Sequence, residues 1–410
     1  MPRPITIKTV YREETFEVAF RGDSFEVNIY SGEYVAYRVY TGDSIYVFSA
    51  PVNLEDKIKP LLDKITSKAS REMRFDDNFY EGEYKVGKGL GVDEIREIVG
   101  LASGRVREYG LNAEVIMVSR HTITHHYVGE YNVEAVDDRW IHELYIYPYT
   151  MYMGRLLATG KLLAHPDPRV IIEEVDNVAK ALAKKIELQA RARSFNPVYI
   201  GRWKTILAGD SACAFYHELA HLLQADEPVK LPLETEIGAE LKIVEDPFYP
   251  GPLQRMFDDE LYPGWRRTLV EDGIVVDYLR TRLTSNGSRP GNGRGLFTRP
   301  KPMYHQLIVK SGDWSLNEAF EEFKKLVYVE DIVKAELHGN YINIVPETAL
   351  MYEKGKWAPV KNLVIKIPVN QLNRIMIGVT RNLNIRYSYE RNMPIYEVAP
   401  STIIEAKITT

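Results

Sequence analysis

The chain has 410 residues, 45% of them hydrophobic and 27% charged, which is ordinary for a soluble globular protein and long enough for two domains or more. A formal net charge of −5 gives no indication of a general nucleic-acid partner, and a single cysteine excludes an internal disulfide and any cysteine-based zinc cluster. No apolar run of about 18 residues predicts a membrane span, and Met1-Pro2-Arg3-Pro4-Ile5 lacks the apolar core of a signal peptide, so the cytoplasm is the expected compartment.

Residues 12–49 alternate apolar and polar in short runs, broken by Arg21-Gly22-Asp23, Ser31-Gly32-Glu33 and Thr41-Gly42-Asp43. The pattern predicts an antiparallel meander of about four strands with glycine turns. Leu54 to Arg71 and Gly91 to Tyr109 have helical spacing, and Ala113 to Val118 reads as a strand. His121, His125 and His126 lie in a Thr-Ile-Thr alternation, which predicts a strand with solvent-facing histidines rather than a metal site. Aromatic strands follow over 139–164, with His142 and His165 as structural residues. Asp167-Pro168 opens a long helix to about Arg193, since proline suits a first helical turn. Ser194-Phe195-Asn196-Pro197 stops it and marks a domain boundary.

Lys204 to Leu207 reads as a strand end and Ala208-Gly209-Asp210-Ser211 as a turn with helix-start residues. The helix that follows carries His217, Glu218 and His221, an H-E-x-x-H pattern, in its middle. Positions i and i+4 share a helical face, so two imidazoles can hold one zinc ion. Glu218, beside the first, is placed to act as base on water. Phe215, Leu219, Leu222 and Leu223 fall on other faces and can bury the helix. A catalytic zinc usually takes three protein ligands. Glu227 lies ten residues after His217, the third-ligand offset of longer zincin patterns, although Gln224 stands where those have glycine. Glu236 and Glu240 are the alternatives, at the distance of a second-helix glutamate. Cys213 is excluded, because i and i+8 are about 12 Å apart along a helix, too far to share an ion; it reads as a small packed residue.

Beyond the motif, Pro228 to Pro263 is rich in proline, glycine and acids, with Asp246 to Pro252 expected to be an exposed loop and the carboxylates solvated. Arg267 to Arg280 reads as a hairpin turning at Glu271-Asp272-Gly273. Ser285 to Gly295 is glycine-rich without the context of a phosphate cradle, and so an irregular active-site loop. Ser315 to Leu326 predicts a short helix, Val327 to Ile344 strands, Ala349 to Tyr352 and Val360 to Ile367 strands about a turn at Glu353-Lys354-Gly355-Lys356, Val369 to Ile377 a short helix, and Ile385 to Tyr389 and Thr402 to Ile408 closing strands. The fold class is therefore α+β. An N-terminal α/β domain (1–196) has an antiparallel sheet and long helices, and a C-terminal β-rich domain (197–410) of mostly antiparallel strands carries the motif helix.

In order along the chain, the meander, the strand–turn–helix with His217-Glu218-x-x-His221, Leu269-Val-Glu-Asp-Gly273, Gly291-Asn-Gly-Arg294, Glu353-Lys-Gly-Lys356 with Pro359-Val-Lys-Asn-Leu-Val-Ile365, and Ala399-Pro-Ser-Thr-Ile403 together resemble the TldD/PmbA family, the modulators of DNA gyrase. The resemblance implies a cytoplasmic zinc metallopeptidase acting on unfolded or small peptides, as a homodimer or a heterodimer with a PmbA-type paralogue. It makes His217 and His221 metal ligands and Glu218 the base. Two departures stand out. The family's helix usually has one more residue between the glutamate and the second histidine. Its TldD branch also takes a cysteine ligand from a C-terminal segment, where this chain has Arg386-Tyr-Ser-Tyr-Glu-Arg391 and offers Tyr387, Tyr389 or Glu390. The PmbA branch lacks the zinc motif, so the resemblance is to TldD. A non-catalytic peptide-binding subunit of such a complex is the alternative.

Overall fold

The computed structural model describes residues 4–42, 44–66, 76–238 and 241–410. The Thr41-Gly42-Asp43 turn at Asp43, the end of the expected helix to Arg71, and Glu240 lie outside them.

The first sheet is built from β1 (Ile5–Arg21), β2 (Ser24–Thr41), β3 (Ser44–Pro51), β4 (Gly82–Val86), β5 (Asn112–Val128), β6 (Val133–Tyr152), β7 (Arg155–Ala158) and β8 (Lys161–His165). Its order is β3-β2-β1-β5-β6-β4, with β7 and β8 also on β6, and all pairings except β4–β6 are antiparallel. The two strands expected over 24–40 are one. Gly32 is not a turn: the chain passes through it extended, and the Tyr34 ring lies where its Cβ would stand, at 2.8 Å. The expected helix over 54–71 is a 3-10 turn (Val52–Lys57) followed by α1 (Lys59–Thr66).

α2 (Val92–Arg107) and α3 (Pro168–Arg191) cover one face of this sheet. Ile95, Ile98, Val99, Ala102 and Val106 of α2, and Ile171, Val175, Ala179 and Leu182 of α3, recur at helical spacing and bury against Val18, Val115, Met117, Leu144 and Ile146. Asp167 caps α3 by accepting from Arg169 N. The histidines of β5 are not all solvent-facing. His126 is buried and bonded to Thr9 at 2.9 Å, and His121 stacks on Trp140 and reaches Asp138 at 2.8 Å. Both are paired with groups of the first sheet.

The second sheet begins with β9 (Arg193–Ser194) and β10 (Gly201–Leu207). The C-terminal strand Met393–Thr409 runs through its middle. That strand pairs antiparallel with β10, parallel with Gln306–Val309, and antiparallel with Met376–Glu390 in a hairpin. The expected strand over 360–367 is broken at Asn362, where φ is +60°, into Lys356–Lys361 and Val364–Pro368. The hairpin at 267–275 turns through Asp272 and Gly273, both left-handed, as its sequence predicts.

The segment 246–260 corrects the expectation of a solvated loop. It is irregular, but Asp246, Asp258 and Glu260 are buried. They answer specific donors: Arg266 to Asp246 at 2.8 Å, Gly293 N to Asp258 at 2.8 Å, and the Tyr40 hydroxyl to Glu260 at 2.6 Å. These bonds also place the glycine-rich loop. Its N–H groups meet carboxylates of the same chain, so the loop is an internal brace.

α4 (Gly209–His221) follows β10 without a spacer. Gly209 has φ +51°, and a Cβ there would run into the Glu330 carbonyl, so glycine is required at this strand-to-helix turn. Gly209 N donates to Asn384 Oδ1 at 2.9 Å and Ala208 N to Val329 O at 2.7 Å. Ser211 to Ala220 are all buried, so α4 is enclosed on every side rather than amphipathic. Gly209→Ala is expected to destabilise the protein by about 1–3 kcal/mol through backbone strain, read as a lower urea midpoint; an unchanged midpoint counts against this turn.

Glu245 ends a strand beside the same loop and is fully buried. Its Oε2 accepts from Asn292 Nδ2 at 3.1 Å. Burial, only partly offset by Arg267, pushes its pKa from 4.5 up to about 8. The folded carboxyl then binds its proton more tightly than the unfolded one, so stability falls as pH rises through this window. Wild type should therefore lose stability relative to Glu245→Gln between pH 4.5 and 8; parallel pH profiles in urea unfolding would contradict it.

Candidate metal centre

α4 brings His217, Glu218 and His221 together, with one ligand atom from each lying within 4.8 Å of the others. The two rings sit edge-to-face with centroids 4.8 Å apart. The helix ends at His221 rather than continuing past it, and Leu222 is its C-cap.

His217 is held from behind. Its Nδ1 lies 2.6 Å from the Tyr304 hydroxyl and 3.2 Å from Glu397 Oε1, and Tyr304 donates to the same oxygen at 2.8 Å. On a neutral ring, with Nδ1–H donating to Tyr304 and Tyr304 to Glu397 Oε1, Nε2 keeps its lone pair. Nε2 faces Glu390 Oε2 at 3.7 Å. Burial works against a charged His217, but the carboxylates of Glu390 and Glu397 outweigh it and hold its pKa up. Burial and the charge on His217 push the pKa of His221 down. The pair thus favours a single positive charge in the absence of an ion. His221 Nδ1 meets Gln224 Nε2 at 3.3 Å; with the amide turned over, Nδ1–H donates to the oxygen and Nε2 is free.

Glu218 is fixed by the backbone. Its Oε2 accepts from Leu337 N, in the strand Lys334–His338, at 2.7 Å. Burial raises its pKa, opposed by the charge on His217 and by the Leu337 bond.

The other residues named from sequence lie as follows. Tyr387 and Tyr389 both donate to Glu143 of β6, the former at 2.7 Å, on the first-sheet side of the hairpin. Glu227 stands in the turn after α4, and the exposed Glu236 bridges to Ile274. Cys213 is buried against the carbonyls of Asn384 and Glu397. Tyr304, Arg386 and Glu397 were not legible as site residues. They come from two strands and an irregular segment far along the chain, and the one local signal is a lone carboxylate at Glu397 in the otherwise uncharged run Met393–Ile404.

Two imidazoles with carboxylates around them form a nitrogen–oxygen donor set suited to a borderline divalent ion such as zinc. The second His217 nitrogen bound to a tyrosine–carboxylate pair is the outer-shell arrangement that orients a metal-binding ring. The residues present fit such an ion.

Comparison with known proteins agrees with this geometry. Residues 214–408 match the PmbA/TldA metallopeptidase C-terminal domain. A metalloprotease of Methanocaldococcus jannaschii is 29% identical over 164 residues, 35% of this chain and 36% of that one. A zinc metalloprotease TldD homolog of Saccharolobus solfataricus is 28% identical over 180 residues, 41% and 40% of the two chains. The matched region thus spans less than half the length of either relative. The crystal structure of a proposed modulator of DNA gyrase from Thermotoga maritima superposes with a TM-score of 0.78 at 16% identity, covering 99% of this chain and 96% of that one. TldE from Thermococcus kodakarensis gives 0.74 at 15% identity, covering 99% and 97%. At those identities the structures speak for the fold alone, and they share it over nearly the whole length. The matched C-terminal domain, the named relatives and the shared fold all agree with the TldD/PmbA family.

Proposed function

We propose that this protein is a zinc-dependent metallopeptidase of the TldD type that hydrolyses unfolded or small peptides. The observation that carries the reading is the convergence of His217, Glu218 and His221 on one turn of a buried helix. The names of its relatives, a metalloprotease and a zinc metalloprotease TldD homolog, support it. Assembly as a homodimer or with a PmbA-type paralogue belongs to the same reading. No helix among the described residues is long and apolar enough to cross a membrane, which accords with a cytoplasmic enzyme.

When bound, the ion supplies Lewis acidity and eases deprotonation of water. His217 and His221 hold it, and the Tyr304–Glu397 pair keeps the His217 ring turned toward it. Glu218 has one oxygen on the Leu337 N–H. Its other oxygen takes the proton of the attacking water and passes it to the leaving amine. Burial of the carboxylate raises its proton affinity, as a base at neutral pH requires.

Glu218→Gln should retain zinc and lower kcat for a flexible peptide by roughly 10²–10⁴. Full activity in that variant rules out the mechanism. Purified wild type should hold close to one zinc per chain, lost in His217→Ala, and chelation should stop cleavage. A chain purified without chelator that carries no zinc would instead be the non-catalytic peptide-binding subunit.

A further inference from the structure

We infer that Glu390 is the third protein ligand of the ion, an inference that rests on the reading of His217 and His221 as its holders. Glu390 Oε2 is 3.7 Å from His217 Nε2. That is too long for a hydrogen bond. It is close to the spacing of two ligands on one tetrahedral zinc, whose bonds of about 2.0–2.2 Å put neighbouring donor atoms about 3.3–3.6 Å apart. The contact is also on the correct nitrogen. Tyr304 and Glu397 occupy Nδ1, so Glu390 meets the ring on its free side.

The backbone holds Glu390 there. It is the last residue of the strand Met376–Glu390, paired with Met393. Arg391 and Asn392 between them have φ +51° and +62°, the two left-handed residues of a tight hairpin turn. Side chains alternate along the strand. Tyr387 and Tyr389 point to Glu143 of the first sheet, while Arg386 and Glu390 point to His217 and its partner Glu397. Arg391 Nε holds Oε1 of Glu390 at 3.3 Å, which leaves Oε2 as the donor. The Glu390 side chain is 24% exposed, so it stands at the mouth of the site, where a ligand can meet both ion and solvent.

The other groups nearby have different tasks. Glu218 Oε2 is bonded to Leu337 N, and the tyrosine hydroxyls are taken by Glu143. Two histidines and one carboxylate leave a fourth position for water or substrate, the open set that a catalytic zinc needs.

The test measures zinc affinity by chelator competition, without reference to peptide cleavage. Glu390→Ala should weaken zinc binding by about 100-fold or more, beyond the 10–100-fold typical of residues that act through a ligand. Its zinc-free melting should match wild type, because the residue sits at a partly exposed hairpin end. A smaller loss overturns the inference. Glu390→Cys decides independently of any folding defect in the alanine variant. X-ray absorption at the zinc edge should show a sulfur neighbour at about 2.3 Å, and nitrogen and oxygen neighbours alone would overturn the inference. If His217→Ala loses zinc and Glu390→Ala does not, Glu390 is wrong and the two-histidine reading stands. If neither variant loses zinc, that reading falls as well.

Discussion

A single buried carboxylate organises the site. Glu397 is fully buried in the middle strand of the second sheet. A charge there, left alone, costs on the order of several kcal/mol. Three groups answer it: Arg386, its cross-strand partner, with Nε 3.4 Å from Oε2, the Tyr304 hydroxyl at 2.8 Å, and His217 Nδ1 at 3.2 Å. Burial pushes the carboxyl toward protonation, and Arg386 and His217 more than reverse it, so it stays charged. The three partners come from a hairpin strand, an irregular segment and α4. Satisfying this charge therefore fixes the relative placement of all three. It also turns His217, because a rotated ring would leave the Tyr304 hydroxyl, which donates to the carboxylate, without the donor of its own that Nδ1–H supplies.

The hairpin that brings Arg386 and Glu390 to α4 is held from its other face as well. Tyr387 and Tyr389 donate to Glu143, which is buried in β6 and also lies 3.8 Å from Arg120. The first sheet thus braces the strand whose opposite face lines the candidate metal centre. Further along the same contact, the buried Arg38 of β2 donates to the carbonyls of Asp259, Gly295 and Leu296. A guanidinium whose terminal nitrogens are bonded to backbone carbonyls leaves several acceptors unpaired if it is removed, which makes this contact specific as well as adhesive. Residues from the N-terminal half therefore belong to the physical account of a site whose chemistry sits in the C-terminal half.

What could be read from the sequence follows from the range of the interactions involved. α2 and α3 were legible because their apolar residues recur at helical spacing and Asp167-Pro168 marks a start. The pair His217 and His221 was legible because i and i+4 meet on any helix. The position of a glycine does not reveal whether the chain turns there. Gly32 lies in an extended strand, with the Tyr34 ring in the space a Cβ would take, whereas Gly209 is required by a left-handed φ and a nearby carbonyl. The carboxylates of 246–260 looked solvated because their partners, Tyr40, Arg266 and Gly293, are set by tertiary contact. For the same reason Tyr304 and Glu397 carried no spacing signal toward His217, being 87 and 180 residues away in sequence. Glu390 entered only as one of several alternatives.

On the proposed reading, the end of α4 explains why a third ligand would have to come from a distance. After His221 the chain is committed elsewhere. Leu222 and Leu223 are buried, Leu223 and Ala225 exchange backbone bonds with Leu279, and Leu231 N returns to Leu222 O. The turn therefore closes on the core beside Leu279 instead of carrying a side chain back over the histidine rings. Within the helix, a residue one turn before His217 is no better placed, since it would have to reach across His217 to meet His221. A donor from a separate strand escapes both constraints, because its approach is set by sheet register rather than by helical rise. The cost is that the proposed centre would be complete only with the hairpin, the middle strand and α4 all in place, which would tie its metal affinity to the folding of the whole C-terminal sheet.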